Sequence, residues 1–415
     1  MDHFKSEFMH TLSERGYLHQ VTDADGLDAH SSAARITGYI GFDATADSLH
    51  VGSLVQIMLM RHLQRAGHRP LVLMGGGTTK IGDPSGRDET RQLLTEAQIS
   101  ANIAGIREIF GRFLRFDDGP SGAIMANNDD WLSGLQYIPF LRDIGRHFTI
   151  NRMLTMDSVK LRLEREQPLT FLEFNYMILQ SYDFVELHKR YGCSLQMGGS
   201  DQWGNIVQGV ELGRRLRDAQ LYGLTSPLIA TASGAKMGKT ASGAVWLNPS
   251  RLSPYGYWQF WRNTEDGDVG RFLRMFTDLP MGEIRRLERL EGAEINSAKE
   301  VLATEATRLC HGDEAAGDAA ATAARAFAGD ATGGLPTFAF KPGEPALIIE
   351  VAVALGMAGS KSEARRLIEQ GGVRLNDQPV QSVTARVTDA DLDWSGTARI
   401  SVGKKRHGLV RRDPR

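Results

Sequence analysis

Between Arg35 and Ala230 short apolar runs alternate with segments of helical periodicity, an order that a parallel sheet covered by helices accommodates and few other folds do. Arg35–Asp43 (RITGYIGFD) reads as a strand, and His50–Ala66 as a helix with Val51, Leu54, Val55, Met58, Leu59 and Leu63 as its apolar residues. Pro70–Met74 is the next strand and runs into Gly75-Gly76-Gly77. Thr95–Phe116 is expected to be helical, Ala123–Ala126 a short strand and Thr170–Lys189 one long helix. Leu195–Met197 ends a strand before Gly198-Gly199, and a helix follows over Asp201–Arg217. Pro227–Ala230 closes the pattern, and Ser233–Gly243 is expected to be a loop.

A chain of 415 residues is too long for one ordinary core, so two or three domains are expected. From Pro254 to about Ala328 the pattern turns helical and alanine-rich, and Asp330–Pro345 (DATGGLPTFAFKPGEP) reads as a linker. Beyond it Pro345–Met357 is an apolar helix. Ser360-Lys361-Ser362-Glu363 is a capping box opening a helix that ends at Gly371-Gly372, and Val373–Asp377 is a strand into a turn. The terminal stretch is basic: Lys341 to Arg415 carries 13 Lys and Arg against 9 Asp and Glu, while the whole chain nets −2. That asymmetry suits a polyanionic partner. No apolar run approaches the roughly 18–20 residues that span a bilayer, and the N-terminal MDHFKSEFMH is too polar for a signal peptide. A cytoplasmic protein without a membrane partner is expected. Two cysteines, Cys193 and Cys310, make neither a disulfide framework nor, unaided, a zinc site, and the 11 histidines contain no HExxH pair.

Four polar groupings fall on the strand ends and helix starts of this pattern. Thr45-x-x-x-x-His50-Val51-Gly52-Ser53 follows a strand and opens a helix, so backbone N–H groups and the positive dipole end face outward. The same residues would also serve as an ordinary cap with a surface histidine. Lys236-Met237-Gly238-Lys239-Thr240 sets two lysines around a glycine, which suits neutralisation of a polyphosphate by a mobile loop. It is not a P-loop, because the required first glycine is Ser233. Nor do Gly75 and Gly77 open a dinucleotide fingerprint, since Lys80 stands where the third glycine belongs. Tyr176, Gln180 and Asp183 recur at helical spacing and share one face. They would serve a polar ligand, or an interhelical hydrogen-bond network. Gly199-Ser200-Asp201-Gln202 and Gly82-Asp83-Pro84-Ser85-Gly86-Arg87 are polar strand-end loops, where ligands gather in open parallel sheets and where aspartates also cap helices.

Taken together these segments resemble the bacterial tyrosyl-tRNA synthetases, over nearly the whole chain. Tyr39–Leu54 (YIGFDATADSLHVGSL) resembles the family's nucleotide-binding segment with its HIGH signature at 50–53. Residues 236–240 resemble its KMSKS loop, and 171–183 (FLEFNYMILQSYD) and 196–205 (QMGGSDQWGN) its tyrosine pocket. Positions 346–412 resemble an S4-type RNA-binding module. The resemblance implies an α/β fold with a Rossmann-like parallel-sheet catalytic domain over 1–230. It further implies the KMSKS loop and an α-helical domain over 231–329, a linker over 330–345 and a small α+β S4-like domain over 346–412. Tyr39 and Asp183 would hold a tyrosine hydroxyl; Tyr176, Asp83 and Gln180 would hold its ammonium group, with Gln202 close by. Thr45, His50, Lys236, Lys239 and Thr240 fall on the ATP-phosphate positions, with Asp43, Gly52 and Ser53 also on the nucleotide side. Arg87 and Arg91 fall on a mobile loop, and Asp201 lies near the ribose. Two departures stand out: Ser53 replaces the second histidine of HIGH, and Thr79-Lys80 replaces an expected Gly-Leu.

The implied activity joins ATP, with Mg2+ on its phosphates, to L-tyrosine and then to tRNA(Tyr), in a homodimer. The stretch Trp131–Phe140 serves as an interface or as core. A non-catalytic RNA-binding protein, a tryptophan-activating enzyme and a paralogue acting on something other than tRNA are the rival readings.

Overall fold

The computed structural model describes residues 4–84, 94–232, 234, 237–240, 243–328, 335–341, 343–392, 396–403 and 406–413. The chain forms two compact units: Met1–Ser233 with Gly267–Arg289, and Gly234–Asp266 with Leu290–Arg415. No described helix is long and apolar enough to cross a membrane.

The first unit is built on strands β1 (Gln20–Val21), β2 (Thr37–Phe42), β3 (Arg69–Met74), β4 (Ile124–Asn127), β5 (Cys193–Gly199) and β6 (Tyr222–Ser226). They lie in the order β1-β6-β5-β2-β3-β4. β2 to β6 run parallel, and β1 joins β6 antiparallel at the edge. Every residue of β5 and β6 is buried, as expected of parallel strands covered on both faces. The chain order reverses at β2, which pairs with β3 on one side and β5 on the other. In such a sheet the carboxyl ends of the strands open a crevice at the reversal.

Most elements fall where the periodicity puts them. The helix Val51–Arg65 buries the expected apolar residues Val51, Leu54, Val55, Met58, Leu59 and Leu63. Three expectations are corrected. The single helix over Thr170–Lys189 is two, Phe171–Phe174 and Tyr176–Tyr191. Between them the Asn175 side chain donates to the Phe171 carbonyl at 2.6 Å, a local bond that competes with a continuous helix. The last strand is Tyr222–Ser226 rather than 227–230, because Pro227 has no N–H for a ladder. The loop after it contains a small hairpin, in which Lys239–Thr240 pairs antiparallel with Gly243–Ala244.

Residues 267–289, expected with the helical part, belong to the first unit. Arg15 donates to the carbonyls of Arg274 and Thr277 at 2.8 Å and of Leu279 at 2.6 Å, satisfying the last carbonyls of the helix Val269–Phe276 and the turn beyond it. Asp278 pairs with Arg61 at 2.5 Å and Arg65 at 2.6 Å, which tethers that turn to the helix Val51–Arg65.

In the second unit the helices Pro254–Arg262, Ile295–His311 and Asp313–Ala328 precede a small α+β module. Its sheet runs in the order Gln378–Pro379, Val373–Leu375, Thr397–Val402, Arg406–Arg412, Thr337–Phe340. The helices Ile348–Ala354 and Lys361–Glu369 supply Ile348, Val351, Ala364 and Ile368 to a core shared with Val373, Ile400 and Val410. The strand Thr337–Phe340 lies inside the expected linker: its phenylalanines turn toward that core while its backbone pairs parallel with Leu409–Arg412. Ser360 caps its helix by accepting from the Glu363 N–H at 3.1 Å, but Glu363 reaches back to the N–H of Gly359 at 2.8 Å rather than to that of Ser360.

Candidate active site

Asp183 stands on the helix Tyr176–Tyr191 with its side chain in the core beside β2 and β4. One carboxylate oxygen accepts from Asn128 Nδ2 at 3.0 Å and the other from Trp131 Nε1 at 2.8 Å. Those two bonds favour the ionised form, yet burial outweighs them and pushes the acid up to about 7, with the neighbouring Asp43 charge adding to the rise. Tyr39, from β2, is 1% exposed, and its hydroxyl has no hydrogen-bond partner among the described residues. Burial first, and the charge of Asp183 second, hold that phenol well above its usual range. A buried hydroxyl without a partner, beside a buried carboxylate, is uncommon enough to require an explanation.

Asn128, 1% exposed, links this end to the rest of the crevice. Its amide nitrogen also donates to Thr78 Oγ1 at 3.0 Å, and its oxygen accepts from the Gly77 N–H at 2.8 Å. Thr78 in turn donates to Asp43 at 2.9 Å, and the Tyr176 hydroxyl reaches the same carboxylate at 3.3 Å. A Cβ built on Gly75 would lie 2.4 Å from Asp43 Oδ1, so the strand end comes that close only because residue 75 is glycine.

A second polar cluster is half-buried. Gln202 Nε2 donates to Asp83 at 2.9 Å, Gln180 Nε2 to Gln202 Oε1 at 3.3 Å, and Asn205 Nδ2 to Gln180 Oε1 at 3.0 Å. The interhelical network weighed against a ligand role for Gln180 is therefore real. It also brings a carboxylate and two amide oxygens together, acceptors that an ammonium ion can use.

His50 is the N-cap of the helix Val51–Arg65, its Nδ1 accepting from the Gly52 N–H at 3.0 Å. Capping by Nδ1 leaves the proton of the neutral ring on Nε2. Ser53 uses its own N–H on the His50 carbonyl at 2.8 Å, within the first turn. Thr45 is exposed, its N–H bonded to the Asp43 carbonyl at 3.0 Å, and a Cβ on Gly41 would meet nothing within 4 Å. Asp201 is exposed and borders a pocket of about 190 Å³ with Gln20, Thr155, Ser200 and Trp203. Arg87, Arg91 and Lys236 lie outside the described residues, and only the backbone of Lys239 and Thr240 is described. Lys80 is paired with Asp129 at 2.9 Å and Glu96 at 3.1 Å.

Asn128, Trp131, Thr78 and Asn205 are the residues that reading the sequence missed. The run Asn127-Asn128-Asp129 at the end of β4 was the available signal, a polar strand end like the two already noted. Trp131 also settles part of the stretch Trp131–Phe140, since it is buried, whereas Tyr137 and Ile138 are 61% and 69% exposed.

Buried polar side chains at the carboxyl ends of a parallel sheet, where the strand order reverses and a helix N-terminus opens, mark the ligand-binding end of a Rossmann-like fold. The family model for class I tRNA synthetases of the W and Y group matches residues 31–328, and the S4 domain model matches 349–392. The tyrosine–tRNA ligase of Rhodospirillum rubrum is 62% identical, covering 98% of both chains, and that of Caulobacter sp. strain K31 is 60% identical with the same coverage. A C-terminally truncated mitochondrial tyrosyl-tRNA synthetase of Aspergillus nidulans superposes with a TM-score of 0.68 at 31% identity, over 76% of this chain and 93% of that one. The chain belongs to the tyrosine–tRNA ligase family of class I tRNA synthetases.

Proposed function

We propose that the chain activates L-tyrosine with ATP to tyrosyl-adenylate and transfers the tyrosyl group to the 3′-terminal adenosine of tRNA(Tyr). One observation carries the reading: the unpartnered buried hydroxyl of Tyr39 beside the buried carboxylate of Asp183. A substrate phenol between them donates to Asp183 and engages the Tyr39 hydroxyl, so both polar groups gain a partner. Phenylalanine leaves the Tyr39 hydroxyl without a partner and Asp183 with no donor beyond Asn128 and Trp131, and that penalty is the basis of discrimination. The ammonium group sits with Asp83, Gln180 and Tyr176, and Gln202 orients Asp83 through its 2.9 Å bond.

No side chain acts as nucleophile. A carboxylate oxygen of tyrosine attacks the α-phosphorus of ATP, the bond to the bridging oxygen breaks, and pyrophosphate leaves with the bonding pair. A terminal ribose hydroxyl of tRNA then attacks the tyrosyl carbonyl, the mixed anhydride opens, and AMP departs. The protein aligns the reactants and offsets charge developing on the phosphates. That role falls to the helix N-terminus at His50, Gly52 and Ser53, to Thr45 and Arg87, and to Lys236, Lys239 and Thr240; Asp43, itself anionic, helps position the nucleotide, and Asp201 takes the ribose. ATP enters as its magnesium complex, so Mg2+ belongs to the substrate. The S4-like module over 346–412 binds tRNA through its basic surface, and the cytoplasm is the place of action. The exposed apolar side chains Tyr137, Ile138, Leu141, Ile150 and Leu154 support a homodimer through that surface.

Pyrophosphate exchange with tyrosine, phenylalanine and tryptophan in parallel tests the reading. Exchange is expected with tyrosine alone. Equal exchange with tryptophan, or none with any of the three, rejects it.

A further inference from the structure

Asp268 is the N-cap residue of the helix Val269–Phe276, yet its side chain makes no capping bond. An aspartate there normally accepts from the first turn of its own helix. Here Oδ2 accepts from the N–H of Ala232 at 2.7 Å, and Oδ1 accepts from Arg271 at 2.5 Å. The same Arg271 nitrogen also donates to the carbonyl of Ala230 at 2.5 Å. Asp268 is 3% exposed, and a carboxylate so far out of water is kept there by a charge-assisted pair of donors. Two side chains thus grip residues 230–232 by one N–H and one carbonyl, at the point where the chain leaves for the segment bearing Lys236 and Lys239.

The grip is fixed to the frame that presents the nucleotide-side helix. The helix Val269–Phe276 buries Val269, Phe272, Leu273, Met275 and Phe276. Arg15 holds its last carbonyls, and Asp278 ties the following turn to Arg61 and Arg65 on the helix that starts after His50. A continuous set of contacts therefore runs from the helix capped by His50 to the N–H of Ala232.

We infer that Asp268 and Arg271 are positioning residues for the activation step: they set where the loop of Lys236 and Lys239 departs. The inference rests on the proposed phosphate role of that loop. Geometry at the reacting phosphates tolerates little displacement, and about 1 Å can cost up to roughly a hundredfold in rate. Asp268→Asn and the more exposed Arg271→Gln are expected to lower the pyrophosphate-exchange rate at saturating ATP and tyrosine by about tenfold or more. Tyrosine affinity, measured by equilibrium binding without ATP, is expected to stay within about twofold, because no tyrosine contact is altered. Trypsin cleavage after Lys236 and Lys239 in the full-length protein is expected to speed up in both variants.

A structural role alone would lower tyrosine affinity, exchange and melting temperature together, and that pattern in both variants overturns the inference. So do unchanged exchange and unchanged cleavage. Lys239→Ala, run alongside, separates the two levels. If it is inactive while Asp268→Asn and Arg271→Gln match wild type, only the positioning role falls. If it is fully active, the phosphate reading of the loop falls and the positioning role falls with it.

Discussion

Two carboxylates border the same crevice under opposite conditions. Asp183 is 2% exposed and has both oxygens engaged by side-chain N–H groups of Asn128 and Trp131, with no cation paired to it among the described residues. Asp83 is half-buried and accepts from Gln202, whose own oxygen is shared with Gln180 and Asn205. A dry, rigidly held acceptor answers strongly to whether its last partner is present, because water cannot substitute. At a half-buried acceptor water can stand in, so that end binds without discriminating. On the proposed reading, the first carboxylate chooses the substrate and the second holds it.

Deleting each end measures the contrast. Asp183→Ala removes the acceptor for a substrate phenol and strands two buried donors, each worth about 1–3 kcal/mol. The tyrosine-dependent kcat/KM for exchange is expected to fall by two to three powers of ten, from about 3–4 kcal/mol of lost interaction. Gln202→Ala is expected to cost about tenfold, since water replaces a bond worth about 1 kcal/mol. Steady-state exchange kinetics on both variants decide it, and comparable losses would erase the distinction.

Titration sharpens it further. Burial pushes the folded-state pKa of Asp183 up to about 7, well above the usual carboxylate range. A carboxyl raised in this way binds its proton more tightly in the folded than in the unfolded chain. Its favourable contribution is therefore complete below the unfolded value and is lost progressively as pH rises toward 7. Asp183→Asn stays neutral throughout, so its melting temperature relative to wild type is expected to rise between about pH 4 and pH 7 and then level off. A flat difference across that window, by scanning calorimetry, would show that Asp183 is already ionised in the fold.

How far the sequence revealed this site follows the range of the interactions. Tyr176, Gln180 and Asp183 were visible because helical spacing puts them on one face, and His50 because a strand end meets a helix start. The parallel sheet was readable for the same local reason. Asn128 and Trp131 were not, since their importance comes from bonding a residue more than 50 positions away, which no periodicity records. The strand Thr337–Phe340 was hidden among the glycines and prolines around it, and only its pairing partner some 70 residues on makes it a strand. The clamp of Arg15 on carbonyls 259 to 264 residues distant likewise leaves no local mark, so the sequence alone does not show that residues 267–289 pack in the first unit.

Tyr39→Phe gives the smallest effect and the most pointed one, because two quantities should move in opposite directions. In the structure the Tyr39 hydroxyl is buried without a partner among the described residues, so its removal relieves a desolvation cost. The melting temperature is expected to rise, by the equivalent of up to about 1 kcal/mol. With tyrosine bound the same hydroxyl has a partner, so its loss should weaken tyrosine by about fivefold to tenfold, or roughly 1 kcal/mol. Differential scanning calorimetry and tyrosine binding on one preparation give both signs. A variant that loses stability and affinity together would mean that the hydroxyl already has a partner in the empty fold, and the phenol slot would then need another acceptor to explain it.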